Sequence, residues 1–114
     1  MAFTTAGTAT AVRARQQFQS LWKDNWLVTI TGANPASIAA GAEDTQTYTV
    51  TGLALGDMVL GISLSVDQTV DGDINAYVSA ANTLTIRISN LNSGAALDYA
   101  AGTTIRVLIG KPNF

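Results

Sequence analysis

The sequence contains no cysteine and no histidine among its 114 residues. Their absence excludes a disulfide, a thiol nucleophile, an imidazole base and a zinc site of the usual kind. Charged residues are also scarce, at 12% of the chain, which is about half the usual share in globular proteins. Because proteins that are free in the cytosol keep a charged surface for solubility, this scarcity favours a subunit covered by its neighbours over a monomer.

The sequence also lacks a long hydrophobic run. Its apolar stretch from Leu53 to Val66 is too short to cross a bilayer and includes Asp57. The N-terminus lacks the charged and then apolar order of a signal peptide. We therefore expect one soluble domain that is made in the cytoplasm and has no membrane partner.

The few charges are unevenly placed. Residues 1–23 contain two arginines, one lysine and no acid, whereas residues 24–114 contain three cations and all eight acids. This asymmetry is typical of an arm that contacts an acidic partner. We predict an N-terminal arm and amphipathic helix over residues 1–23, and a β-sandwich domain over residues 24–114. Nucleic acid is not expected as the partner, because Arg13 and Arg15 have no interleaved aromatic residues.

Two patterns describe the N-terminal segment. Residues 1–10 are small and rich in Thr and Ala, which predicts an extended arm that Phe3 anchors to a partner, or else a disordered terminus. From Ala11 to Trp22 the apolar residues recur at helical spacing, with Thr10 as the N-cap, and predict a short amphipathic helix. A helix of this length must pack on its own sandwich or on a neighbouring subunit to be stable.

The clearest pattern lies in the second half of the chain. Residues 83–89 alternate between polar and apolar side chains, and residues 74–78 supply a matching apolar set. A three-residue loop over residues 80–82 places the two apolar sets opposite each other, whereas a loop of four residues places each opposite polar ones. We predict this hairpin, with Asn82 in the left-handed conformation that the end of such a loop requires.

Similar alternation predicts six strands in all, and hence a mainly β protein. The expected fold is an antiparallel β-sandwich, immunoglobulin-like or jelly-roll-like, preceded by the arm and short helix. Gly61, Ser63 and Ser65 are predicted to face outward and to form a surface so small that another protein layer can approach closely. The residues predicted to face inward on the same strand are Leu60, Ile62, Leu64 and Val66.

No cluster of residues predicts a chemistry. Asp71, Asp73 and Asn75 copy the first three ligands of a calcium loop, but the glycine and the closing glutamate of that loop are missing. The other carboxylates are not spaced for acid–base catalysis, and there is no glycine-rich phosphate loop. We predict no enzyme activity, no catalytic residues, no metal site and no cofactor.

Three segments carry a family resemblance. They are the runs GLALGDMVLGISLSVD, INAYVSAANTLTIRISN and AAGTTIRVLIGK, which fall within residues 45–111. Together they resemble small virion proteins of tailed bacteriophages. The resemblance implies a structural protein of the phage particle and carries no catalytic residues. We expect a capsid decoration or cement protein, located in the virion after synthesis in the host cytoplasm.

The expected partners are the major capsid protein and neighbouring copies of the chain, in a homo-oligomer for which a trimer is favoured. For Trp22 and Trp26, core packing is the first interpretation, an interface anchor the second and sugar stacking the third. The residues expected to contact partners are Phe3, Arg13, Arg15, Phe18, Trp22 and Trp26.

Two alternatives belong to other classes of protein. The first is a trimeric tail or fibre component, a knob that binds host glycans through Trp26, Tyr77 and Tyr99. Binding to a glycan array distinguishes this knob from a cement protein. The second is an immunoglobulin-like module cut from a larger secreted protein, which the initial Met1 disfavours.

Overall fold

The computed structural model describes residues 2–15, 21–35, 37–67 and 72–113, and within these ranges every side chain except those of Ala14 and Arg15. Over these ranges the chain forms seven β-strands and no helix. In chain order the strands are β1 (Thr8–Arg15), β2 (Trp22–Ala33), β3 (Glu43–Thr49), β4 (Met58–Leu64), β5 (Gly72–Ala80), β6 (Thr83–Asn90) and β7 (Thr103–Pro112).

The strands form the two layers of an antiparallel β-sandwich, as predicted. One sheet has the order β1-β2-β7-β4 and the other has the order β3-β6-β5, and every neighbouring pair is antiparallel. Alternate residues of the central strands point between the sheets and are fully buried, which is the source of the period-two pattern in the sequence. These core residues are Val28, Ile30, Leu84, Ile86, Ile88, Ile105, Val107 and Ile109.

The strand order differs from that of an immunoglobulin constant domain. In these strand numbers, the immunoglobulin order is 1-2-5-4 in one sheet and 3-6-7 in the other. Here β5 and β7 have exchanged places, because β5 stays beside β6 as a hairpin and β7 lies between β2 and β4. The sandwich architecture is therefore shared with immunoglobulin domains, and the connectivity is not.

The hairpin predicted from residues 74–89 is confirmed. Val78 pairs with Leu84, and Ile74 pairs with Ile88, so that the apolar sets of β5 and β6 share the inner face. Asn82 has a φ of 59°, which is the left-handed conformation expected of the last loop residue.

The short helix predicted from Ala11 to Trp22 is wrong. Residues 8–15 form β1, Trp22 begins β2, and residues 16–20 lie outside the described residues. Each of the eight residues of β1 pairs with a residue of β2. The edge of β2 offers backbone N–H and C=O groups that need partners, and pairing with them outweighs a weak local preference for helix in a segment that also contains β-branched Thr and Val.

The residues before β1 pack against the sandwich. Phe3 is buried in the chain's own core, and Thr5 exchanges backbone hydrogen bonds with Asn34. The hydroxyl of Tyr48 on β3 donates a hydrogen bond to the carbonyl oxygen of Ala6, with 2.6 Å between the oxygens. Burial raises the pKa of Tyr48 well above its ordinary value. Residues 2–7, the described part of the arm that we expected to reach a partner, are therefore held against the chain's own sandwich.

Candidate functional site

The outer face of the four-stranded sheet carries a row of exposed apolar side chains, and we call this surface the apolar face. Strand register aligns Val12 of β1, Leu27 of β2 and Leu108 of β7 in a single row that ends at Gly61 of β4. The large apolar residues of this face are 39% to 66% exposed, and comprise Val12, Leu27, Met58, Leu60 and Leu108. Contiguous exposed apolar patches mark interaction surfaces, whereas apolar residues scattered singly over a surface need no explanation.

A β-bulge places Leu60 on this face. The prediction that Leu60 faces inward is wrong, because the register of β4 against β7 shifts between Val59 and Gly61. The extra residue breaks the strict alternation, so Leu60 is 40% exposed although its neighbours along the strand follow the pattern. Ile62 and Leu64 are partly buried and pack against the core as predicted.

A shallow depression with a volume of about 290 Å³ lies over β4 and β7 and extends to Leu27 of β2. It exists because Gly61 has no side chain, and a Cβ atom added there would meet no atom within 4 Å. This agrees with the expectation of a small outward surface at Gly61 and Ser63. Among the residues that line the depression, Arg106 carries the one charge; the lining residues are Leu27, Gly61, Ile62, Ser63, Arg106 and Leu108.

Trp22 extends the apolar face beyond the row. Gly110 lies two residues after Leu108 on β7 and therefore faces the same side of the sheet. A Cβ atom on Gly110 would lie only 2.7 Å from the Cε3 atom of Trp22, so the indole ring rests directly on the glycine backbone. Of the residues expected to contact partners, Trp22 is the one that the described structure brings to the apolar face.

Trp26 lies on the opposite, inner side of β2. It is 6% exposed, which agrees with core packing, the first of its three interpretations. The guanidinium carbon of Arg13 lies 5.4 Å from the centre of its ring, and Nζ of Lys111 lies 5.6 Å from it. Both cations are within the range in which an aromatic ring attracts positive charge. They close this end of the sandwich over the indole.

Two ion pairs neutralise these cations. Arg13 donates from Nη2 to the carboxylate of Asp24 at 2.6 Å. Lys111 donates from Nζ to Oδ2 of Asp57 at 2.5 Å, and the Asp57 side chain is 6% exposed. Asp57 also accepts a hydrogen bond from the backbone N–H of Ala54. The Lys111–Asp57 pair therefore attaches the turn that precedes β4 to strand β7. The charges of Arg13 and Lys111 are thus paired within the chain, and we do not assign them to a binding site.

The other expected contact residues are dispersed. Phe3 is buried in the core, whereas Arg13 is half exposed at the edge strand β1. Arg15 ends β1, but its side chain is outside the description, and Phe18 lies in the undescribed range 16–20. The six residues therefore do not form one cluster among the residues whose positions are described.

The sequence alone contained part of the signal for the apolar face. Once Val28 and Ile30 face inward, alternation requires Leu27 to face outward, and the same reasoning applies to Leu108 between Val107 and Ile109. These two exposed leucines could have been inferred from the pattern. Val12 could not, since its position on the face depends on β1 being a strand, and Leu60 depends on the bulge.

The outer face of the three-stranded sheet is polar, and we call it the polar face. Thr45, Thr47 and Thr49 of β3 point away from the core as predicted. Beside them, Arg87 donates a hydrogen bond from Nη2 to the hydroxyl of Tyr77 at 3.2 Å, and its guanidinium lies 5.2 Å from the ring centre. The hydrogen bond to Tyr77 is the main reason that the pKa of Arg87 is raised.

The described residues include no group of three or more His, Cys, Asp or Glu side chains that could hold a metal ion. Within the same ranges, no helix is long and apolar enough to cross a membrane. Of the three aromatic residues in the glycan-binding alternative, Trp26 and Tyr99 are buried and Tyr77 is 37% exposed. A stacking platform made of all three rings is therefore not present on the surface.

No protein-family model matches the chain, and no curated protein or solved structure is significantly similar to it.

Proposed function

We propose that this chain is a structural protein of a tailed-phage particle, a decoration or cement protein that binds the major capsid protein and further copies of itself. The observation that carries the proposal is the apolar face, which combines five large exposed apolar residues with a single row that crosses all four strands. The resemblance of residues 45–111 to small phage virion proteins supplies the kind of particle.

The size of the apolar face suits a structural contact. Four strands of about eight residues, roughly 4.8 Å apart and with 3.3 Å per residue, present about 500 Å². This footprint includes the polar residues Thr29, Arg106 and Ser63, and the apolar residues occupy the remainder. Apolar patches of a few hundred Å² are often functional. The core of an interface is depleted of charged residues, and the low overall charge of the chain is consistent with such burial.

In this proposal the protein has no enzymatic activity. Its contribution to the particle is buried area, repeated over many copies, so that individually weak contacts gain strength through multivalency. The protein is located in the virion, and it is made in the host cytoplasm.

The direct test uses particles that were assembled without this protein. Purified protein is added to such particles, and the particles are pelleted and assayed for bound protein and for resistance to heat. The proposal predicts saturable binding and a higher temperature of particle disruption. Binding that does not saturate, or saturable binding to the tail alone, contradicts it.

A matched pair of variants locates the contact. Leu108→Asp introduces a charge on the apolar face, and Thr47→Asp introduces the same charge on the polar face. Both positions are exposed, so the fold is expected to tolerate both changes. The proposal predicts that only Leu108→Asp reduces binding to particles, because the apolar face carries the contact between copies on which multivalent binding depends. Deletion of residues 1–22 is a poor test, because it removes β1 and the buried Phe3.

A further inference from the structure

We propose that the apolar face pairs with the apolar face of a second copy of this chain, about a two-fold axis that runs along the strands. The inference rests on the copy-to-copy contact within the proposed function and assigns it a surface and a geometry. It concerns the isolated protein, so it can hold or fail independently of binding to a capsid.

The area of the face meets the requirement of a dimer. Two faces of about 500 Å² each bury about 1,000 Å² when they meet, which is the lower limit for a specific interface. Flat sheets pack face to face at about 10 Å with their strands nearly aligned. A second copy therefore supplies a cover of the same size, flatness and apolar character, without any change in the fold.

The row of residues across the sheet is complementary to itself. In the order of the strands, it starts with the exposed Val12 on β1, continues through Leu27 and Leu108, and ends in the depression at Gly61 on β4. An axis parallel to the strands, between β2 and β7, reverses this order in the second copy. Val12 of each copy then covers the depression of the other, and the two leucines meet across the axis.

The same axis staggers the two copies of Arg106 by one strand spacing. Arg106 shares a row with Thr29 on β2 and Ser63 on β4. Reversal of the row places each Arg106 over the Thr29 hydroxyl of the other copy, so the two guanidinium groups do not face each other directly. The arginine stem can lie along the apolar surface while its charged end reaches the rim.

The symmetry of such a contact limits the assembly. A surface that meets its own copy about a two-fold axis is fully used by two chains, so the contact closes as a dimer. The apolar face therefore favours a dimer as the unit of assembly, in place of the trimer favoured by the sequence.

Sedimentation equilibrium of the purified full chain tests the pairing. We expect a concentration-dependent dimer for the wild type and for Thr47→Asp, and a monomer for Leu108→Asp at the same concentrations. Circular dichroism establishes that the three proteins are equally folded. A wild type that remains monomeric at millimolar concentration overturns the inference, and so does a dimer that Leu108→Asp leaves intact.

A size swap tests the axis itself. Val12→Gly removes the side chain that fills the depression, and Gly61→Val fills the depression from within, where a Cβ meets no atom of its own chain. Each single change is expected to weaken the dimer about tenfold, and the double variant is expected to regain most of the loss. If the two effects multiply in the double variant, Val12 and Gly61 do not meet and the proposed axis is overturned.

The particle assay distinguishes this inference from the proposed function. A monomeric wild type that still saturates capsids overturns the pairing and leaves the proposed function standing. If the protein forms a dimer that responds to the size swap as predicted but does not bind capsids, the pairing stands and the proposed function is overturned.

Discussion

The two outer faces of the sandwich are built from strands with the same alternation, yet they carry different side chains. The apolar face exposes Val12, Leu27 and Leu108 in one row. The polar face carries the outward threonines of β3, and beside them the paired side chains of Arg87 on β6 and Tyr77 on β5. The central strands of both sheets bury Ile, Leu and Val side chains, so packing of the core does not explain this difference, and the proposed function attributes it to what each face contacts.

The core-facing sides of the two sheets should contribute equally to stability. Ile86 on β6 and Ile105 on β7 are both 0% exposed and lie under different outer faces. Ile86→Ala and Ile105→Ala should each lower the free energy of unfolding by about 2–5 kcal/mol, because each leaves a cavity in a packed core. Urea unfolding followed by circular dichroism measures both. A loss below about 1 kcal/mol for one of them breaks the equivalence.

The cations of the two sheets should differ in their contribution to stability. Lys111→Met leaves the nearly buried Asp57 without its ion-pair partner, which should reduce the free energy of unfolding by about 2–3 kcal/mol. Arg87→Met is the matched control on the polar face: it removes an exposed pair with Tyr77 and should therefore cost clearly less stability than Lys111→Met. Chemical denaturation measures both values. Equal losses would show that burial of the Lys111–Asp57 pair does not matter.

Two glycines on the apolar face should respond differently to the same change. Gly110→Ala places a Cβ 2.7 Å from the Trp22 ring, so the ring must move or the protein loses about 1–3 kcal/mol of stability. Gly61→Ala meets no atom within 4 Å and should change the stability by less than about 0.5 kcal/mol. Tryptophan fluorescence and thermal unfolding report the two outcomes. A neutral Gly110→Ala variant with unchanged fluorescence contradicts the position of Trp22.

The smallest effect is expected where the N-terminal residues join the polar sheet. Tyr48→Phe removes the hydrogen bond to the carbonyl of Ala6 and should lower the stability by about 1 kcal/mol at neutral pH. The pKa of Tyr48 is raised in the folded state, so the stability that it contributes is complete below about pH 10 and falls as the pH rises further. Urea unfolding at pH 8 and pH 11 should show the gap between the two proteins narrowing. A constant gap contradicts this.

Local patterns predicted the parts of the fold in which neighbouring residues determine the structure. The hairpin of β5 and β6 is one example, since Asn82 and the two apolar sets specify its loop and register. Residues 11–15 are the counterexample: their spacing also fits a helix, and only pairing with β2 makes them a strand. The bulge at Leu60 and the insertion of β7 between β2 and β4 likewise arise from contacts that are distant in sequence.

The candidate site shows the same division. The small outward surface at Gly61 and Ser63 was predicted, and it forms the depression. The complete row could be predicted only with the register of all four strands. Of these, β2, β7 and β4 are distant in sequence and come together only in the folded chain. The importance of Phe3 for the core was missed because nothing in the segment around it indicates where it packs.

Because the chain has no cysteine, a single introduced thiol reports the covering of each outer face most directly. Ser63→Cys places the thiol at the depression on the apolar face, and Thr47→Cys places it at an equally open site on the polar face. The rate of maleimide labelling is measured for both variants from dilute to concentrated protein. We predict that labelling of Ser63→Cys slows as concentration rises while labelling of Thr47→Cys is unchanged; equal rates at all concentrations, or protection of Thr47→Cys alone, would contradict the account.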